Sequence, residues 1–259
     1  MTATVHATAI VSAEARLADG VEIGPYAVVG PDVAIGEGTS VGALATIEGP
    51  AVIGRENRIF PHAVLGFEPQ DLKYHGERTR LTVGDRNVFR EFSTVHRGTS
   101  TGRGETVIGD GNYIMACSHV AHDCRIGSFT VLANSASLAG HVEVGDHVVL
   151  SAFSGAHQFI RIGNYAFVGA YSALRQDVLP FCRTEGSDAK TYGLNVVGLK
   201  RNGFSEERLK ALERTYRLLI KSKLNTTQAL QRIEEELAGQ EDVAYLVRFI
   251  KESKRGFHR

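Results

Sequence analysis

The chain has few cysteines, no charge of one sign in excess and no long apolar run. Lys plus Arg equals Asp plus Glu, at 29 each in 259 residues, so no overall basic excess points to nucleic acid. No stretch approaches the ~18 consecutive apolar residues that a membrane span requires. The opening segment, MTATVHATAI, lacks the basic start and long apolar core of a secretory signal. Cys117, Cys124 and Cys182 have neither CxxC spacing nor an even count. Cys124 falls at a small, inward-facing position and reads as a reduced packing thiol. These shortages together lead us to expect a soluble cytoplasmic protein with no nucleic-acid partner and no membrane span. The length allows one large domain or two smaller ones.

What is present is a clock. An aliphatic residue recurs every sixth position from Val5 through Val11, Leu17, Ile23, Val29, Ile35, Val41, Ile47, Ile53 and Ile59 to Leu65. It resumes at Val83, Phe89 and Val95, shifts phase, and runs from Ile108 to Leu174; only Phe89 and Ala156 are not Val, Ile or Leu. Neither helical periodicity nor simple alternation gives a six-residue period, so the chain is a repeat architecture. Four residues after the aliphatic position there is usually something small or β-branched, such as Ala9, Ala15, Val21, Ala27, Thr39 or Ala63. That residue lies two before the next aliphatic one, which is strand alternation. The remaining residues must turn the chain. Gly often follows the aliphatic position, as in Ile23-Gly24 and Ile35-Gly36, and its dihedral freedom suits a bend. Each unit is therefore a short strand plus a corner.

The clock stops twice. GFEPQDLKYHGERTRLT separates Leu65 from Val83, and the polar, Gly-rich HRGTSTGRGETV separates Val95 from Ile108. Both read as ejected loops, near 66–82 and 96–107, and long loops in compact domains often carry function. After Leu174 the repeat fades. From Ser205 the pattern turns helical, with Leu209, Leu212, Tyr216, Leu219 and Ile220 forming one apolar stripe. Asn225 is placed to cap a second helix with Gln228 at the reciprocal position, Gly239 to end it, and Val243, Leu246, Val247 and Ile250 to line a third. Residues 200–259 hold 14 Lys and Arg against 9 Asp and Glu, a basic tail suited to an acidic partner. The expected division is 1–190 for the repeats and 191–259 for the helices.

In a solenoid, residues that share a phase stack into a column. Counted in coils of three units from Ile108, His119, His122, His141 and His157 fall in neighbouring phases on successive coils, whereas His147 falls elsewhere. Gly140 and Gln158 share the phase of His122, so stacking at roughly 5 Å per coil brings the His122 ring near the Gly140 backbone. A neutral imidazole suits removal of a hydroxyl proton near neutral pH. Asp123 is placed to orient the ring, and the Gly140 N–H to meet a developing oxyanion. Such a set suits acyl transfer to an alcohol without a nucleophilic Ser or Cys. A second reading takes His119, His122 and His141 as three zinc ligands.

The repeat resembles that of the hexapeptide acyltransferases. QDLKYHGERTR (Gln70–Arg80), AHDC (Ala121–Cys124), LAGH (Leu138–His141), HQF (His157–Phe159) and GLKRNGFS (Gly198–Ser205) resemble the UDP-N-acetylglucosamine O-acyltransferases of lipid A synthesis. The resemblance implies a left-handed parallel β-helix of three units per coil, about 40 Å tall at ~4.8 Å per coil, followed by a small α-helical C-terminal domain. It implies a homotrimer that moves a 3-hydroxyacyl chain from acyl carrier protein to the glucosamine 3-hydroxyl of UDP-N-acetylglucosamine, in clefts between prisms, with no cofactor and no metal. His122 would be the general base, Asp123 its partner and the Gly140 amide the oxyanion donor. Asp71 would meet the sugar with Gln70 nearby, Lys73 the phosphates, and His119, His141, His157 and Gln158 would line the cleft. Asn195 and Arg201 would contact the nucleotide, and the basic helical tail would help dock the carrier. Relatives in that family carry an acidic residue where Val197 stands and an arginine where Asn202 stands, so two uridine-side charges are missing here. Ala170 falls in the region that measures acyl length. Some relatives prefer a 3-amino sugar. The related N-acyltransferases carry a domain before the repeats, whereas here the clock begins by Val5. The zinc reading resembles γ-type carbonic anhydrases, which do not account for QDLKY or the helical tail.

Overall fold

A computed structural model describes residues 2–259. The six-residue units become short strands that wind into three parallel sheets of eleven, nine and eight strands. Register between coils is set by the clock. Thr4 pairs with Glu22, and Val149 with Phe167, each one coil further along. Where the loops intervene the same pairing skips further, from Ile59 to Phe89 and from Val95 to Val120. The sheets thus continue past both insertions, which leave the prism as segments 68–79 and 97–104.

The aliphatic positions fill the interior: Ile47, Leu65, Ile114, Val120, Leu132, Leu138 and Leu150 are all fully buried. At the N-terminal end the prism is open, and Val5 remains 44% exposed. One inner corner is polar. Asn57 Oδ1 accepts hydrogen bonds from the Asn87 backbone and side chain at 2.9 and 3.0 Å. Asn87 Oδ1 accepts likewise from Asn112, and Asn112 Oδ1 from the Thr130 N–H. This ladder satisfies buried groups coil by coil.

The corners turn differently from the sequence expectation. None of Gly24, Gly36, Gly54, Gly127, Gly145 and Gly163 has positive φ. They are needed for closeness instead: a Cβ on Gly36 would sit 2.6 Å from the Gly54 backbone one coil away. The left-handed residue comes two places later and is often aromatic, as at Tyr26 (φ 57°), Phe129 (57°), His147 (56°) and Phe159 (66°). Such a φ costs a non-glycine residue on the order of 1 kcal/mol. Coil-to-coil ring stacking offsets part of it, with centroids 5.1 Å apart for Phe129–His147, 4.7 Å for His147–Tyr165 and 5.1 Å for Phe153–Tyr171.

After Leu174 the strand Cys182–Glu185 continues the eleven-stranded sheet and folds back antiparallel on Lys190–Leu194. That second strand spans the expected boundary at 190–191. Four helices follow: α1 (Val196–Arg201), α2 (Glu206–Tyr216), α3 (Thr226–Glu236) and α4 (Glu241–Lys251). α1 is absent from the sequence reading, and a π turn at Arg217–Lys221 extends α2. Asn225 and Gln228 form the expected capping box. The helices pack on the last coil through Leu179, Phe181 and Cys182, against Leu199, Leu212, Leu219 and Leu246. The chain then returns to the prism, where His258 N donates to the Asp177 carbonyl. No helix among the described residues is long and apolar enough to cross a membrane. Cys124 and Cys182 are buried thiols, both raised to about 12 chiefly by desolvation.

Candidate active site

Consecutive coils are tied along one edge by backbone bonds, His141 N to His122 O and Phe159 N to Gly140 O. These bonds stack residues 122, 140 and 158, and beside them Asp123, His141 and Phe159, all three with positive φ. The edge is at the surface. His157, Gln158 and Phe159 are exposed, while His122 and His141 are partly covered.

His122 Nδ1 lies 2.8 Å from Asp123 Oδ2. Asp123 is fully buried, yet it is charged. Burial pushes its carboxyl up, but bonds from His122, from the Thr99 hydroxyl and N–H and from the Arg103 N–H outweigh that and hold it at about 2. A carboxylate only accepts hydrogen bonds, so Nδ1 carries the proton and Nε2 presents its lone pair. The Cε1–Nε2 edge of the ring lies against Gly140: a Cβ there would meet His122 Cε1 at 2.6 Å and Nε2 at 2.7 Å. Only glycine admits the ring.

The Gly140 N–H is also available. At the equivalent place on another edge, several N–H groups are taken by a side chain one coil on: Asp110 Oδ1 accepts from Asp85 N, and Asp146 Oδ1 from Ser128 N. On the histidine edge the counterpart of those side chains is Gln158, and among the described residues the Gly140 N–H has no acceptor. It is free to donate.

The other histidines surround this pair. His141 stands edge-on to His122 at 5.1 Å and stacks on Phe159 at 4.4 Å. Desolvation lowers it, and the carboxylates of Asp123 and, more weakly, Asp71 pull it back up. His119 bonds Thr94 Oγ1 at 2.7 Å and falls to about 4, through desolvation and then its neighbours His96 and His122. His96 was missed in the sequence. It is buried, 5.3 Å from the His119 ring, and its Nδ1 lies 2.6 Å from the Glu68 carbonyl oxygen. It directly follows Val95, whose strand pairs with that of Val120, so counting phases through the break would have found it. A cleft of about 670 Å³ adjoins His141 and Phe159, lined also by Arg103, Glu143, Arg161 and Asp177.

The first loop turns back at its tip through Lys73 N to Asp71 Oδ1 at 3.0 Å and Tyr74 N to Asp71 O. Gln70 and Lys73 are exposed and Leu72 wholly so. Two expected residues do not join the histidines within this chain. Asn195 caps α1 by accepting from Gly198 N and donates to Tyr165 O, and Tyr165 belongs to the corner column of His147. Arg201, at the end of α1, lies with it. Val197 is exposed, and Asn202 closes α1 through Gly198 O. Ala170 is exposed on a third corner, next to the Phe153–Tyr171 stack. For a metal, the compact donor set is His122, Asp123 and His141, with ligand atoms within 4.8 Å; His119 is turned to Thr94. This is two imidazoles and a carboxylate rather than three imidazoles.

Comparison with known proteins agrees along the whole chain. Residues 14–49 and 105–140 match the bacterial transferase hexapeptide repeat, and 177–258 match UDP-N-acetylglucosamine O-acyltransferase, domain 2. Among curated proteins, the acyl-carrier-protein-dependent UDP-N-acetylglucosamine O-acyltransferase of Stenotrophomonas maltophilia is 49% identical, over 97% of this chain and 96% of its own. The corresponding protein of Halorhodospira halophila is 50% identical, over 98% of this chain and 99% of its own. Among solved structures, that from Moraxella catarrhalis superposes with a TM-score of 0.96 at 41% identity, covering 100% of both chains. That from Bacteroides fragilis gives 0.97 at 36%, covering 99% of this chain and 100% of its own. The fold is thus the left-handed parallel β-helix with a helical C-terminal region.

Proposed function

This chain belongs to the UDP-N-acetylglucosamine O-acyltransferases, and from that premise we propose how its own residues carry the reaction. The chain moves a 3-hydroxyacyl group from acyl carrier protein to the glucosamine 3-hydroxyl of UDP-N-acetylglucosamine, in lipid A synthesis. His122 Nε2 takes the proton of the sugar hydroxyl as its oxygen attacks the thioester carbonyl. Asp123 fixes the tautomer and balances the imidazolium that forms. The Gly140 N–H donates to the oxyanion, a role in which a single donor is worth ~10²–10³-fold in rate. Collapse of the tetrahedral species expels the carrier's thiolate, which takes the proton from His122. No Ser or Cys nucleophile enters, and no cofactor is called for.

One observation carries this reading: the Nε2 edge of the base lies against a glycine whose N–H is unpaired. The low value of His119 and the lowered His141 keep these rings neutral beside the substrate, where they accept or donate hydrogen bonds without adding charge. Asp71 and Gln70 would hold the sugar and Lys73 the phosphates, with His157 and Gln158 lining the acyl side.

The active unit in this reading is a homotrimer. Asn195 and Arg201 lie off the histidine edge of their own chain, and Leu72 projects 101% exposed from the loop that carries Asp71. A neighbouring prism beside that edge would cover Leu72 and supply the nucleotide contacts. The basic tail would meet the acidic carrier. A cytoplasmic location belongs to the same reading, since both substrates are soluble.

A direct test offers the purified protein a series of 3-hydroxyacyl carrier-protein thioesters with UDP-N-acetylglucosamine and its 3-amino analogue. Mass spectrometry should show the sugar nucleotide heavier by one acyl group. Folded protein that acylates neither acceptor would overturn the reading.

A further inference from the structure

We propose that the second ejected segment, residues 97–104, with His96 at its root, is a bracket: its first residues set the substrate loop, and its later ones set the catalytic carboxylate. This rests on the acyltransferase reading above. At one end, the Arg97 guanidinium donates to the Gly66 carbonyl at 2.9 Å, to the Gly49 carbonyl at 3.3 Å and to the Tyr74 hydroxyl at 3.0 and 3.3 Å. Tyr74 in turn donates to the Glu77 carbonyl at 2.8 Å, and His96 meets the Glu68 carbonyl. Gly66 and Glu68 form the first root and Tyr74 the middle of the loop that carries Gln70, Asp71 and Lys73, and Gly98 N donates to the Arg80 carbonyl at its second root at 3.2 Å. A loop held at both roots and at its centre keeps its tip in place without packing, which the exposed Leu72 and Lys73 lack.

At the other end, the Thr99 hydroxyl donates to Asp123 Oδ2 at 2.7 Å, the Thr99 N–H reaches both carboxylate oxygens at 3.1 and 3.2 Å, and the Arg103 N–H donates to Oδ1 at 2.7 Å. Gly102 closes the cradle from the third side. A Cβ there would lie 2.5 Å from all three atoms of the carboxylate group. Asp123 N donates to Thr106 Oγ1, so the backbone is tied as well. The carboxylate therefore keeps one accepting direction for His122 Nδ1, and the ring has one orientation in which to present Nε2.

Because the two ends touch different parts of the site, their losses should separate kinetically. Arg97 and Thr99 are positioning residues, each acting through another group. Thr99→Val removes the hydroxyl donor and keeps the shape. A hydrogen bond to a charged group is worth enough that kcat should fall by roughly 10–100-fold, with KM for the sugar nucleotide within twofold of wild type. Thr99→Ser should restore kcat to within about threefold. Arg97→Gln should do the reverse, raising KM for the sugar nucleotide about tenfold while kcat stays within about threefold. Tyr74→Phe, a milder change, should raise KM in the same direction if Arg97→Gln does not fold.

Parallel losses of kcat and unchanged KM in both variants, or no separation, would overturn the bracket. So would a Thr99→Ser that fails to rescue. If the wild-type protein itself makes no product, the acyltransferase reading fails instead. The bracket then stands or falls on NMR of the His122 Nδ1–H, whose resonance should shift in Thr99→Val and not in Arg97→Gln.

Discussion

Replacing Gly140 by alanine puts a methyl group in place of a hydrogen at a tightly constrained point of the site. The new Cβ would stand 2.6 Å from His122 Cε1 and 2.7 Å from Nε2. Unstrained carbon contacts need about 3.5 Å or more, so the ring must retreat by roughly 1 Å. It has no free direction, since Nδ1 is held at 2.8 Å by a buried carboxylate that the second loop grips. The lone pair therefore swings away from the acceptor hydroxyl. A misplacement of this size costs ~10²-fold in rate, or about 3 kcal/mol on the barrier. Gly140 does not have positive φ, so the backbone tolerates alanine and the coil should stay folded. Steady-state kinetics should show kcat down about 100-fold, with KM for the sugar nucleotide near wild type and the melting temperature within a few degrees. Gly193→Ala, where a Cβ meets nothing within 4 Å, is the control and should be silent. A Gly140→Ala protein retaining kcat within threefold would refute the reasoning.

Further outcomes follow from the same structure. His119 has its folded value at about 4, below an unfolded value near 6.5. Its contribution is therefore present above pH ~6.5 and lost as pH falls toward 4. The loss is about 3 kcal/mol, read by urea unfolding across that range, and His119→Asn should flatten the slope. Asp123, depressed to about 2, contributes fully above its unfolded value near 3.9. About 2 kcal/mol is lost as pH falls toward 2, and Asp123→Asn should remove that acid limb. Asn87→Ala would leave the buried Asn112 N–H unpaired and remove one of the two donors to Asn57 Oδ1. It should cost about 2–4 kcal/mol in chemical denaturation.

The core was legible because solenoid packing repeats: a residue's phase alone tells whether it points in, and Ile47, Leu65 and Leu138 obeyed. The same arithmetic brought His122, Gly140 and His141 together across two coils. It failed where periodicity carries no information. Thr99, Gly102 and Arg103 sit in an ejected segment with no phase, so their grip on Asp123 could not be counted out. His96 was lost because it stands at the first residue of that break. The corners misled for a different reason. Glycine after the aliphatic position was read as a sign of unusual dihedrals, but the chain places those two residues later, often at aromatic residues whose stacking offsets part of the cost, and uses that glycine for close approach between coils. The Asn57–Asn87–Asn112 ladder was hidden because its positions elsewhere mostly hold small or β-branched residues. Asn195 and Arg201 mark a limit of another kind: a single chain leaves them on a separate corner, and no phase count within one prism can move them.

The central claim is that His122, set by Asp123 and facing Gly140, removes the proton of the acceptor hydroxyl. Single-turnover acyl transfer by His122→Ala, measured alongside its binding of UDP-N-acetylglucosamine by calorimetry, tests it most directly. Transfer should fall at least ~10³-fold while sugar-nucleotide affinity changes by less than about threefold. Transfer within tenfold of wild type by a folded His122→Ala protein would contradict it.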